Sequence, residues 1–199
     1  MKLFKAILTG LIFSVLSIHT QANEEAPGQI VKKTVDQVLE VLRDDALNET
    51  EKKQRISELA KQRINFKDMS RRILAVNWRK ASEEQRIEFT SLFQEILLNT
   101  YWIRMSQYAG ERVEYIAVSQ NEDDYATVDT IIVRDQDSVE IPLSYRMKRF
   151  VSIWYAYDFT VEYLSLVQSY RNEYRATIKN HGIDGLLDLM QQEVESYDA

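Results

Sequence analysis

Few residues in this chain of 199 residues could support catalysis. There is no cysteine, and of the two histidines only His181 lies outside the first 22 residues. Thiol chemistry, disulfides and Cys/His pairs are therefore excluded, and no histidine is spaced with carboxylates as a metal ligand set requires. His181 precedes Gly182 at a predicted helix end, where a polar cap is the simplest interpretation.

Two carboxylates, Asp158 and Glu162, lie where a strand pattern gives way to a helix pattern. Burial there could raise the pKa of a carboxyl group, so a small hydrolase or isomerase that uses both with a pocket tyrosine is one hypothesis. The competing interpretation, which we favour, is a structural hydrogen bond from Asp158 to the start of the following helix. We therefore predict no catalytic residue.

The elements that position these residues follow from apolar spacing. Four segments have the β-branched, aromatic or alternating character of strands: 112–118, 125–134, 139–148 and 151–161. In the third strand Leu143 and Tyr145 alternate with polar residues, which predicts one apolar and one wet face. In the second strand we predict Val128, Thr130 and Ile132 as the inward set, although the opposite parity, with Ile131 and Val133, is nearly as apolar. Pro142 predicts an edge or a bulge in the third strand.

Helices are predicted before and after these strands. Asn48 with Glu51, and Ser82 with Gln85, have the spacing of capping boxes that start helices. A helix is predicted over 163–179, with a break at His181 and a last helix from about residue 184. The fold class is therefore α+β: an antiparallel four-stranded sheet packed against several helices, with helices at both ends of the chain and an apolar groove between sheet and helices.

The N-terminus has the features of a secretory signal peptide. Lys2 and Lys5 precede an apolar run over 6–18, and small residues at 20–22 offer a cleavage site. We predict a leader over 1–22 and one domain over 23–199. Cleavage removes two lysines and no acidic residue, so the net charge changes from −6 to −8. This acidity argues against nucleic acid as a partner.

The ordered motifs of the chain resemble the MlaC, or toluene-tolerance, family of periplasmic phospholipid-binding proteins. The resemblance is carried by NWRKA at 77–81, EQR at 84–86, YAGE at 108–111, LSYRM at 143–147, Trp154, YD at 157–158, SLVQSYR at 165–171 and HGIDGL at 181–186. Two positions depart from the family pattern, which usually has glycine at Tyr163 and near Ala75. We expect a tyrosine at position 163 to reshape or partly fill the space beside the helix that follows it.

The resemblance implies a periplasmic carrier that holds phospholipid tails between sheet and helices and leaves the headgroup in water. It also implies shuttling between an outer-membrane lipoprotein–porin complex and an inner-membrane ABC transporter, which would maintain outer-membrane lipid asymmetry. Apolar parity and helix faces then predict these lipid-binding residues: Phe89, Phe93, Ile96, Leu97, Tyr101, Ile132, Leu143, Tyr145, Met147, Trp154, Leu164, Val167 and Tyr170. Four cations are candidates for the headgroup at the mouth: Arg79, Arg146, Lys148 and Arg149.

We expect a monomer with no cofactor and no metal, and with phospholipid as its bound ligand. Two other classes remain open at this point. One is the small hydrolase or isomerase that would use Asp158 and Glu162. The other is a periplasmic adaptor that carries no ligand.

Overall fold

The computed structural model describes residues 25–108, 110–122, 124–134 and 137–197. Within them the chain forms the predicted α+β domain, with helices on either side of the strands in sequence. In chain order the elements are α1 (Pro27–Arg43), α2 (Glu49–Arg63), α3 (Phe66–Leu74), a 3₁₀ turn (Ala75–Arg79), α4 (Glu83–Met105), β1 (Arg112–Glu122), β2 (Tyr125–Arg134), β3 (Val139–Phe150), β4 (Ile153–Val161), β5 (Leu164–Ser165) and α5 (Leu166–Tyr197). The predicted leader, residues 1–22, lies outside the described residues.

The strands form an antiparallel meander in the order β1-β2-β3-β4-β5. The prediction of four strands is wrong, because the described sheet has five. Glu162 and Tyr163 both adopt positive φ angles, 48° and 69°. The chain therefore reverses in a tight turn, and Leu164 pairs with Val161 before the helix begins at Leu166.

The faces of the sheet follow the predicted alternation. Val128 pairs with Tyr145 and Thr130 with Leu143, so these four side chains share one face. Val128 and Thr130 are almost completely buried, which confirms these two residues of the predicted inward set in β2. Ile132 is only partly buried, whereas Val133 of the opposite parity is buried, so the alternation ends before the end of the strand. Pro142 of β3 pairs with Ile131 of β2, but the pairing of β3 with β4 begins only at Leu143. The missing N–H of Pro142 is therefore tolerated at this edge.

Both predicted capping boxes are present. Asn48 Oδ1 accepts the backbone N–H of Glu51 at 3.0 Å, and Glu51 Oε2 accepts that of Asn48 at 2.9 Å. At the start of α4, Ser82 Oγ accepts the backbone N–H of Gln85 at 3.2 Å, and Gln85 Oε1 accepts that of Ser82 at 2.9 Å. From this cap α4 runs for 23 residues, about 35 Å at 1.5 Å per residue.

Among the described residues, the buried apolar side chains form two clusters. The helical cluster joins α3, α4 and α5, with Phe89, Phe93 and Ile96 at 0% exposure. The sheet cluster packs the N-terminal turn of α1 against β2, β3 and β4. Ile64 and Phe159 pack against both clusters and so connect them.

The predicted break between the last two helices is a kink. α5 continues from Leu166 to Tyr197, but Gly182 has the non-helical angles φ 73° and ψ −168°. A φ value in this range favours glycine, which explains the break at this position. Among the described helices, none is both long enough and apolar enough to cross a membrane.

Candidate functional site

The apolar face of the sheet is closed at one end and half open at the other. At the closed end five residues of β2, β3 and β4 pack beneath Ile30 and Val31 of α1, each at 5% exposure or less: Ala126, Val128, Met147, Trp154 and Ala156. At the other end the residues of the same face are only partly buried: Val113, Ile132, Ile141, Leu143, Tyr145 and Val161. We call this second group the half-open end.

Helix α1 covers the face in a direction antiparallel to β1. A Cβ on Gly28 would lie 2.8 Å from the Val118 side chain, and the Tyr115 hydroxyl donates to the Lys32 carbonyl at 3.5 Å. The burial of α1 changes along the same direction. Ile30 and Val31 are buried, whereas Val35, Val38, Leu39 and Leu42 are only partly buried. The C-terminal half of α1 therefore lies over the half-open end.

Tyr145 of the half-open end and the neighbouring Tyr115 of β1 are uncharged near neutral pH. Tyr145 packs edge to face on Phe159 with ring centroids 5.6 Å apart, and burial raises the pKa of Tyr145. Burial, with a smaller contribution from Asp36, raises the pKa of Tyr115 to about 12. These tyrosines present neutral rings with polar tips, which suits contact with an amphipathic ligand.

The predicted residues on α4 and α5 come together in the helical cluster and not on the apolar face of the sheet. Phe89 and Phe93 are stacked with centroids 6.1 Å apart, and Tyr170 meets Phe93 edge to face at 5.2 Å. Ile96, Leu97 and Val167 are buried in the same cluster, and Tyr101 packs against its margin. These side chains pack against other protein side chains. The predicted lipid-binding residues therefore lie in two layers of the fold, the helical cluster and the sheet.

The residues of the turn between β4 and β5 join neither group. Leu164 is 68% exposed and Tyr163 is 84% exposed. Tyr163 therefore does not fill space beside α5, and the expectation that it partly fills this space is wrong. Its effect is on the backbone, because it holds a positive φ angle that glycine adopts more readily.

The four candidate headgroup cations do not converge. Arg79 is exposed on the 3₁₀ turn, whereas the other three are on β3. Arg146 and Lys148 are on the polar face of the strand, opposite Tyr145 and Met147. Arg149 has the other parity, and its Nε donates to Asp124 at 3.1 Å.

Asp158 is buried as the cap of α5. Its Oδ1 accepts the Val167 backbone N–H at 3.0 Å, and its Oδ2 accepts the Ser165 hydroxyl at 2.7 Å. Glu162 is exposed on the turn and His181 is exposed near the kink, so neither joins Asp158. In the part of the chain that the structure describes, no group of three or more His, Cys, Asp or Glu residues is placed to hold a metal ion.

Sequence reasoning missed residues that form or cover the half-open end. Val35, Val38 and Leu42 were visible as one face of α1, and Ile141 has the same parity as Leu143. Helical spacing shows that such a face must be covered, but it does not show which layer covers it. The tertiary structure supplies that assignment.

These features define a class of protein. The chain folds as an α+β binding domain with an apolar internal face that is half open at one end, and the two carboxylates considered for catalysis are not brought together.

The family follows from comparison with known proteins. The family model described as MlaC protein matches residues 32–192, and the chain belongs to this family. A solved structure of a phospholipid-binding protein from Ralstonia solanacearum, in complex with a phospholipid, has a similar fold. The TM-score is 0.76 at 22% sequence identity, and the match covers 86% of this chain and 98% of that chain.

Proposed function

We propose that this protein is a periplasmic phospholipid carrier that holds acyl chains against the half-open end and leaves the headgroup in water. The observation that carries the proposal is the graded burial of one continuous apolar face, from closed under Ile30 to partly exposed at Ile132 and Leu143. Membership of the MlaC family supports the proposal, as does the phospholipid bound to the similarly folded Ralstonia protein.

The energetics suit a carrier. Each buried methylene contributes about 0.8 kcal/mol relative to water, so two acyl chains contribute on the order of 20 kcal/mol. A lipid in a bilayer is already out of water, and the net affinity is therefore the difference between two dry environments. Pick-up and release then need no covalent chemistry, and we propose that the protein is not an enzyme.

We propose that Ile132, Leu143 and Tyr145 contact the acyl chains directly, together with Val35 and Val38 of α1. These residues lie on facing surfaces and are each partly buried. The fully buried residues of the helical cluster form the packed layer behind them. They would meet lipid only if the chains entered between α4 and α5.

Export and shuttling complete the proposal. The predicted leader over 1–22 would direct the chain to the periplasm, where residues 23–199 would act as a monomer. By family analogy the carrier would exchange lipid with an outer-membrane lipoprotein–porin complex and an inner-membrane ABC transporter. Intact mass of the exported protein tests the leader, and transfer of labelled lipid to each reconstituted complex tests the partners.

Mass spectrometry tests the central claim. The full chain is expressed with its leader, purified from the periplasm without detergent and analysed under denaturing conditions. We expect stoichiometric co-purifying phospholipid. Protein that is reproducibly lipid free, and that also takes no lipid from vesicles, would exclude the carrier and favour the ligand-free adaptor.

A further inference from the structure

A concave feature lies on the polar side of the sheet, near the start of α5. It has a volume of about 270 Å³. Its lining combines three arginines with polar and aromatic side chains: Arg72, Arg146, Arg171, Tyr157, Asp158, Ser165, Val167 and Gln168. Arg146 alternates along β3 with Tyr145 and Met147 of the apolar face, so the arginine pocket and the half-open end are on opposite faces of the sheet.

Two of the three arginines are fixed in place by the fold. Arg72 donates its Nε–H to Asp68 at 2.9 Å, and its guanidinium lies 4.0 Å from the centroid of the Tyr157 ring. Arg171 donates two N–H groups to the backbone carbonyl of Arg72, one of them at 3.1 Å. Arg72 and Arg171, which are 99 residues apart in sequence, thus place their guanidinium groups beside one cavity.

The third arginine is the more available one. Arg146 is the cross-strand neighbour of Asp158, but its Nη1 lies 3.5 Å from Asp158 Oδ2, at the limit of a hydrogen bond. Asp158 already accepts shorter bonds from Ser165 and Val167. The Arg146 side chain is 49% exposed, and a guanidinium has five N–H donors. Most of its donor capacity can therefore serve another acceptor.

The charge balance of the pocket favours an anion. Three guanidinium groups and the Asp158 carboxylate line the pocket, and Arg72 is also paired with Asp68. The three arginines still outnumber these two carboxylates, in a chain whose overall charge is −6. The backbone amides of Val167 and Gln168 already donate to Asp158 and Ser165, so the charged donors of the lining are the arginine side chains. Guanidinium groups match the geometry of phosphate oxygens better than ammonium groups do.

We propose that this arginine pocket is a binding site for a phosphate group, with Arg146 as its main ligand and Arg72 and Arg171 as supporting cations. The cavity has room for phosphate or for a small phosphate ester such as glycerol phosphate. The site does not depend on the proposed lipid carriage, because it shares none of the residues of the half-open end.

Calorimetric titration with inorganic phosphate and with glycerol phosphate tests the site. Ionic strength is held constant with chloride, because screening alone changes weak charge interactions. We expect saturable binding that Arg146→Gln weakens about tenfold, as loss of a charge-assisted contact predicts. Arg55→Gln is the matched control, since it removes an exposed arginine of α2 outside the pocket, and it should leave binding unchanged.

Folding of Arg146→Gln is checked by its melting temperature in chloride. Absence of saturable phosphate binding in the wild-type protein would overturn the proposal, as would equal weakening by both variants. Repeating the titration with delipidated and phospholipid-loaded protein identifies the source of the phosphate. Competition by bound lipid would show that the lipid headgroup occupies the site, and unchanged binding would show a site for free phosphate compounds.

Discussion

Asp158 accepts a hydrogen bond of 3.0 Å from the backbone N–H of Val167, and so joins the end of the sheet to the start of α5. The carboxylate is 2% exposed, and its other oxygen accepts the Ser165 hydroxyl. A buried carboxylate whose oxygens are both occupied acts as a structural cap. This assignment favours the structural interpretation of Asp158 over the catalytic one.

Asp158→Asn should lower the free energy of unfolding by about 1–3 kcal/mol, because a neutral amide replaces a charge-assisted acceptor and leaves one buried partner unsatisfied. Urea denaturation measures the change. Glu162→Gln is the control, since this side chain is exposed on the turn, and it should alter stability little. Equal stability of both variants would contradict the capping role.

Leu143→Gln should reduce the phospholipid that co-purifies with the protein severalfold, because it places a polar amide among the acyl-chain contacts proposed for the half-open end. Mass spectrometry after detergent-free purification gives the occupancy. Leu164→Gln makes the same chemical change at a residue that is 68% exposed, and lipid occupancy should be retained. If the two variants lost lipid equally, the half-open end would not be the site.

Removal of bound phospholipid should lower the melting temperature. A ligand that binds only the folded state stabilises it, and an emptied apolar groove has a cavity cost. Differential scanning calorimetry of the purified and the verified delipidated protein measures the difference, and reloading from vesicles should restore the original value. The same melting temperature in all three samples would contradict an enclosed acyl-chain site.

Ala75→Gly and Tyr163→Gly should each raise the free energy of unfolding by about 1 kcal/mol, because both residues hold positive φ angles, 52° and 69°. The gain is limited by the greater freedom of glycine in the unfolded chain. Denaturant titration of the lipid-free protein measures both changes. Gly182→Ala is the reciprocal control, since φ is 73° there, and it should destabilise; a stabilising effect would contradict the backbone assignment.

Acid should remove a stabilising contribution from Asp68. Burial opposes ionisation of this carboxylate, but hydrogen bonds from Arg71 and Arg72 outweigh burial and lower the pKa of Asp68. A lowered folded-state pKa gives stability that is fully present above the unfolded value of about 3.9 and is lost as pH falls through the folded value.

Asp68→Asn should therefore lower the free energy of unfolding at pH 7. Below about pH 4, the free energy of unfolding of this variant should fall less steeply with pH than that of the wild-type protein. Denaturant titrations between pH 7 and pH 3 measure this slope for both proteins. Asp36→Asn is the control, because its pair with Lys32 is more than half exposed and screened by solvent. An unchanged slope in Asp68→Asn would show that other carboxylates dominate the acid response.

Much of the fold could be predicted because it depends on local spacing. The capping boxes at Asn48 and Ser82 need residues only three positions apart, and the alternation in β3 follows from the two-residue repeat of a strand. Strand β5 was missed because local spacing alone indicates a helix over this segment. The helical spacing of Leu164 and Val167 is real, but the positive φ angles of Glu162 and Tyr163 reverse the chain before the helix begins.

The sequence by itself determined the elements, their apolar faces and the family, since these depend on residue type, order and local period. Only the tertiary structure decided that Ile132 and Leu143 are partly buried while Phe93 and Ile96 are fully buried. It also brought Arg72 and Arg171 together across 99 positions. The physical reason is that spacing specifies which side of an element is apolar, whereas burial and long-range contacts depend on which other layer packs against that side.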